Sequence, residues 1–213
     1  TDLARESADV VLADDNFASI VHAIEEGRIV FVNARQTSAF LITTNIAESV
    51  TLLVSIGIGL PLPLTATQLL WLNLVTDTMT SISLATEPGH SSLEKSGQAV
   101  QQQKLLNRQV IPFLIINVVF MSILAIGALA YFAHVNVELG RTAAFVAMAF
   151  TQLFNVFNMR SLDRSVFELG IFSNNFVNWA IAISGGLVVL LTYVEPFVEI
   201  FKFQPMNPLE FVF

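Results

Sequence analysis

Three oxygen-bearing side chains, Asn73, Thr76 and Asp77, recur at i, i+3 and i+4 within Gln68-Leu-Leu-Trp-Leu-Asn73-Leu-Val-Thr76-Asp77, an otherwise apolar run. On a helix this spacing places them on one face, within reach of a common ligand. The preceding apolar run carries Asn45 and Glu48 at i, i+3. A carboxylate near the middle of a bilayer costs about 2.5–3.5 kcal/mol on insertion scales, so two on consecutive spans point to a shared cation cage. A hard divalent ion such as calcium takes about six to eight oxygens at ~2.3–2.6 Å. These five side chains offer at least one oxygen each, a bidentate Glu48 adds another, and the two carboxylates together neutralise one divalent charge. Magnesium, which is near-octahedral and sheds water reluctantly, suits a dehydrating cage less well.

A bland reading competes with each of these assignments. Asn and Thr in membrane helices also act as interhelical glue worth about 0.6–2 kcal/mol, and that alternative stays open for Asn45, Asn73 and Thr76. For Glu48 and Asp77 the insertion cost favours function. Gln152, with Asn155 and Asn158 at i+3 and i+6, forms a further polar stripe that reads either as interhelical hydrogen bonding or as an additional ion ligand.

The elements that must carry these residues follow from composition. The chain has 213 residues, 54% of them hydrophobic and 13% charged, with a mean hydropathy of +0.67, which excludes an ordinary soluble domain. The expected fold class is an all-α polytopic membrane protein, a helical bundle of about five transmembrane helices. Runs of low charge place the spans at about 36–60, 64–84, 110–133, 142–159 and 169–194, with Pro61-Leu-Pro63 dividing the first two. With the N-terminus taken as cytoplasmic, Arg5, Arg28, Arg35, Lys95, Lys104, Arg108, Arg160 and Arg164 fall inside and only Arg141 and Lys202 outside, a positive-inside bias. The net charge of −7 gives no reason to expect nucleic acid, and the absence of cysteine removes disulfides and thiolate ligands. The opening Thr-Asp-Leu-Ala-Arg-Glu lacks an initiator Met and a signal peptide, so a piece of a longer protein is expected.

Residues 1–16 contain a short strand pattern, Ala8–Ala13, ending in the turn-forming Asp14-Asp15-Asn16. Residues 17–35 are expected to begin, in water, a long helix that enters the membrane, and 36–213 form the membrane domain. Residues 85–108 read as a solvated connector, with Glu87-Pro88-Gly89 as a turn and a Gln-rich patch at Gln98–Gln103. His22, His90 and His134 share no span and suggest no metal site. Tyr131, Trp179 and Tyr193 suit the membrane interfaces, and Gly185-Gly186 suits close helix packing.

Taken together, Ala8-Asp-Val-Val-Leu-Ala-Asp14-Asp15-Asn16-Phe17, Glu25-Glu-Gly27-Arg28, Thr44-Asn45-Ile-Ala-Glu48, Pro61-Leu-Pro63 and Leu70-Trp71-Leu-Asn73-Leu-Val-Thr76-Asp77 resemble the C-terminal third of a P-type ATPase of the calcium-pump type. The resemblance implies that residues 1–16 are the tail of a cytoplasmic α/β phosphorylation domain, that 17–35 are a stalk, and that the five spans are the fifth to ninth of ten. It implies an enzyme in the full-length protein: an ATP-driven pump exporting Ca2+ from the cytoplasm across the cell membrane, with Mg2+ and ATP bound in domains absent from this chain. The Asp-Lys-Thr-Gly-Thr phosphorylation signature does not occur here, so this stretch alone is not expected to hydrolyse ATP. The implied partners are the lipid bilayer and the N-terminal half of the same pump, which would supply further ligands. The resemblance also places an ion ligand at Gln152, where two-ion pumps resemble Glu; the amide points to one ion per cycle. Alternatives are a P-type pump for Na+ or Mn2+, or an ATP-independent transporter or structural membrane subunit.

Overall fold

Asn16 starts the first helix by accepting a hydrogen bond from the Ala18 N–H at 3.0 Å, and α1 then runs 41 residues, Phe17–Gly57, with no proline to stop it. At 1.5 Å per residue it is roughly 60 Å long, about twice the hydrocarbon thickness of a bilayer. Its first turns, through Gly27, are largely exposed; among the described residues its first buried one is Asn33, after which buried and exposed positions alternate along the helix. Gly59, at φ 79°, takes the left-handed conformation that ends the helix. Pro61 and Pro63 prevent its resumption, and Thr65 restarts the chain through a reciprocal capping box with Gln68.

The second apolar run is helical from α2 (Ala66–Trp71) through a π turn at Leu72–Thr76 into α3 (Asp77–Ala85). It is followed by α4 (Ile111–Ala133), α5 (Val137–Met159), the single turn α6 (Val166–Leu169), α7 (Asn175–Tyr193) and α8 (Glu195–Phe201). This computed structural model describes residues 6–9, 11, 16–89 and 108–207, all helical or irregular. The strand expected at Ala8–Ala13 lies largely outside the described residues, as do His90 and the Gln98–Gln103 patch. Among the described residues four helices are individually long and apolar enough to cross a membrane: Ala18–Gly57, Ile111–Ala133, Val137–Met159 and Asn175–Tyr193. The chain is an all-α polytopic membrane protein.

The fourth of the expected spans is the centre of the bundle. In its most apolar window α5 is 67% buried, against 39% for α4 and for α7, and it packs on α1, α3, α4 and α7. Small residues Ala143, Ala144 and Ala149 let its neighbours approach, and Phe145, Met148, Val188 and Leu191 fill the space between. Gly185 of α7 faces Leu153 and Phe150 across that contact, whereas the site beside Gly186 is open.

Two expected boundaries are corrected. The span placed at 142–159 begins at Val137, because Asn136 caps the Glu138 N–H and Arg141 is tied to the Leu62 carbonyl at the bundle's end. The span placed at 169–194 begins at Asn175: Gly170 at φ 82° ends α6, and the Asn174 side chain accepts from the Phe176 and Val177 N–H groups. After α7 the chain turns back, so that the Phe201 carbonyl accepts from Gln68 Nε2 at 3.0 Å and its ring packs edge-on against Trp71.

The tight turn between α4 and α5 depends on Gly140, where a Cβ would lie 2.9 Å from the Ala133 backbone nitrogen. Gly140→Ala is expected to destabilise the protein by about 1–3 kcal/mol. Gly186→Ala, with nothing within 4 Å, is the matched control and should be neutral or slightly stabilising. Thermal inactivation rates in detergent compare the two.

Candidate cation site

α1 and the α2–α3 segment run antiparallel, and two polar rungs join them. Thr44 Oγ1 donates to Asp77 Oδ2 at 3.0 Å, and Asn73 Nδ2 donates to Glu48 Oε2 at 2.9 Å. The four-residue step on one helix answers the four-residue step on the other, so the rungs are one turn apart, roughly 5–6 Å. α5 closes the arrangement from the side: Gln152 Nε2 donates to Glu48 Oε1 at 2.8 Å. Three helices thus meet at one carboxylate.

The π turn sits at this junction. Within it the Asp77 N–H bonds to the Leu72 carbonyl, five residues back, rather than to Asn73. Such turns weaken the regular ladder and recur at functional sites. Here the turn carries Asn73 and Thr76 and ends at Asp77, so all three expected oxygen donors of this span belong to the irregular segment or its boundary.

Glu48, Thr76, Asp77 and Gln152 are at most 4% exposed. Several of their oxygens nevertheless have no hydrogen-bond partner among the described residues: Thr76 Oγ1, Asp77 Oδ1 and Gln152 Oε1. A buried polar atom without a partner costs about 1–3 kcal/mol, and a bound cation is a natural partner for such oxygens. Asn45 is not brought into this network. It is exposed, and its Nδ2 donates to the Leu41 carbonyl of its own helix at 2.7 Å. Among the described residues no three His, Cys, Asp or Glu gather as a metal site, so any cation held here rests on two carboxylates plus neutral oxygens. That is the donor chemistry of a hard ion.

Residues 61–213 match the family model described as cation transporting ATPase, C-terminus. The chain belongs to this family. It is similar to Calcium-transporting ATPase 1 of Bacillus cereus, at 35% identity over 219 residues, covering 94% of this chain and 24% of that protein. Calcium-transporting ATPase 1 of Saccharomyces cerevisiae is 31% identical over 213 residues, 97% of this chain and 22% of that protein. Calcium-transporting ATPase type 2C member 2 of Rattus norvegicus is 29% identical over 219 residues, 99% and 23%. The chain therefore spans about a quarter of the length of these relatives.

Two further features of this cation-transporting ATPase chain go beyond the expected site residues. Thr44, the partner of Asp77, is a single hydroxyl of a type that in a helix more often bonds to its own backbone, and here its one proton is shared between Asp77 Oδ2 at 3.0 Å and the Leu41 carbonyl at 3.1 Å. Its signal was the i, i+4 relation to Glu48. Asn155, the next member of the polar stripe and one turn from Gln152 on α5, is 3% exposed, and both polar atoms of its side chain lack partners among the described residues.

The hydroxyls of the site make opposite demands on the fold. Thr44→Val leaves Asp77 Oδ2 without its donor and should lower stability in chelator by about 1–3 kcal/mol. Thr76→Val removes an unsatisfied oxygen at nearly constant shape and should be neutral or stabilising under the same conditions. Inactivation half-lives of the two variants with calcium chelated give the comparison.

Proposed function

We propose that this chain is the ion-binding membrane part of an ATP-driven pump that exports Ca2+ from the cytoplasm, one ion per cycle. The observation that carries this reading is the two-rung junction of Glu48, Asn73, Gln152, Thr44 and Asp77, with buried unpartnered oxygens on Thr76, Asp77 and Gln152. The names of its relatives support calcium as the cargo. ATP and Mg2+ act in parts of the pump outside this chain. The N-terminal end of α1 then lies in the cytoplasm, the cell membrane is the proposed location, and the rest of the pump covers the exposed Asn45 and Asn73 and adds ligands.

Charge supports the count of one. Among the described residues the buried acids are Glu48, Asp77 and Glu87, and Glu87 is paired with Arg160 at 2.6 Å. Two carboxylates remain for the ion, which balances one divalent charge. Where a second ion would call for another carboxylate, Gln152 contributes an amide.

The hydrogen bonds describe how the residues would exchange partners. The Asn73 and Gln152 amides hold the Glu48 oxygens through their N–H groups; rotation of either amide frees a carboxylate oxygen and turns an amide oxygen towards the cargo. α1 carries both Thr44 and Glu48 and extends about 25–30 Å beyond the hydrocarbon layer. A tilt imposed on its exposed end therefore displaces one wall of the site against the other.

In the full-length protein, Asp77→Asn is expected to abolish calcium-dependent phosphorylation from ATP while phosphorylation by inorganic phosphate in the absence of calcium persists. Glu48→Gln should act in the same direction and less severely, because the amide keeps one oxygen ligand. Normal calcium-activated turnover in Asp77→Asn would contradict the assignment.

A further inference from the structure

At the end of the bundle opposite the Pro61–Pro63 loop, the chain buries an ion pair that takes no part in the cation site. Glu87, expected to lie in a solvated turn, is 2% exposed, and Arg160 is 0% exposed. Every nitrogen of the guanidinium is engaged. Nε donates to Glu87 Oε1 and Oε2 at 3.0 and 3.1 Å, Nη2 to Glu87 Oε1 and Ser173 Oγ at 2.6 Å each, and Nη1 to the Gly170 and Ile171 carbonyls at 3.0 and 3.1 Å. Asn174 Nδ2 donates to Glu87 Oε2 at 2.6 Å, and Asn33 Nδ2 of α1 donates to the Ala85 and Glu87 carbonyls. The ends of α3 and α5 and the start of α7 are thereby joined at the Glu87 carboxylate, and the flank of α1 is held to the main chain beside it.

A buried ion pair is weak evidence for stability, since well-packed apolar residues often do as well; its attested value is in fixing register. Register is what the cation site requires. Gln152 lies eight residues before Arg160 on α5, about 12 Å along the axis. Glu87 lies two residues past the end of α3, the helix that begins at Asp77 and continues the π turn carrying Asn73. Glu48 lies on α1, which Asn33 ties to the Glu87 main chain, so a shift of α5 away from α1 and α3 by about 1 Å along the 2.8 Å bond from Gln152 to Glu48 would take that bond beyond hydrogen-bonding range. The bidentate, five-donor geometry of arginine resists that shift, and a lysine would not.

We propose that the Glu87–Arg160 pair is a positioning clamp that sets the register of α5 against α3 and against the flank of α1 that Asn33 ties to it, so that Gln152 reaches Glu48 of α1 and completes the cation site. This proposal rests on the pump reading above. Arg160 and Glu87 touch no cargo and act through Gln152.

The test is a double-mutant cycle on calcium affinity in the full-length pump, read as the calcium concentration giving half-maximal phosphorylation from ATP. Arg160→Lys keeps the charge and loses the fork. It should raise that concentration about tenfold, with maximal phosphorylation and detergent inactivation half-life within about twofold of wild type. In a Gln152→Ala background the same substitution should add less than a twofold change, because the contact it positions is already gone. Glu87→Gln should repeat the pattern and serves if Arg160→Lys does not reach the membrane. An equal change in both backgrounds, an unchanged calcium affinity, or loss of folding in both variants would overturn the clamp. A wild-type protein with no calcium response would remove the pump reading along with it, which separates the two failures.

Discussion

Desolvation of Glu48 constrains the whole bundle. Its carboxylate is 4% exposed among helices built mainly of Leu, Val, Ile, Ala and Phe, where a buried charge costs several kcal/mol unless it is paired or hydrogen-bonded. No cation from the chain's own Lys or Arg reaches it among the described contacts. Two amides do so, one from the α2–α3 segment and one from α5, and each bond to a charged group contributes about 1.5–3 kcal/mol. For both amides to arrive, three helices must keep fixed heights and rotations. The capping box at Thr65, the tight turn at Gly140 and the π turn at Leu72–Thr76 can each be understood as meeting that demand.

The compensation is incomplete. Most hydroxyls in the membrane helices satisfy themselves on a carbonyl three or four residues back, as Thr43, Thr80, Ser83 and Thr151 do. Among the described residues Thr76 of the π turn breaks that habit, as do Thr51 and Ser55 of α1, and Asp77 and Gln152 each leave an oxygen unpartnered. Natural proteins tolerate such costs where a function requires them. A site that is under-satisfied without its cargo gains most when the cargo arrives. The fully satisfied guanidinium of Arg160, about two turns beyond Gln152 on α5, shows that this fold can saturate a buried polar group.

The sequence was informative where single residues are expensive. Glu48 and Asp77 stand out because carboxylates in apolar runs are costly, and the i, i+3, i+4 spacing of Asn73, Thr76 and Asp77 gave their common face. Gln152 was recognisable from its stripe with Asn155 and Asn158, although its direct bond to Glu48 depends on long-range packing that periodicity does not encode. The π turn was not legible, since Leu-Asn-Leu-Val-Thr carries no helix breaker; the interruption follows from tertiary contacts. At Glu87 the local pattern points to solvent, because Glu-Pro-Gly is a turn signal. Its partner, Arg160, lies 73 residues away, beyond the reach of local pattern. The start of α7 was misplaced because the apolar Ile171 and Phe172 continue the hydrophobic run, whereas Gly170 and the Asn174 cap determine the backbone.

Equilibrium binding of radiolabelled calcium to the full-length protein tests the central claim, that the charge of Glu48 and Asp77 together holds a single divalent ion. Close to one ion per wild-type molecule, a Hill coefficient near one, and no saturable binding in the double variant Glu48→Gln/Asp77→Asn are expected. Two ions bound cooperatively to the wild type, or saturable binding that survives removal of both carboxylates, would contradict it.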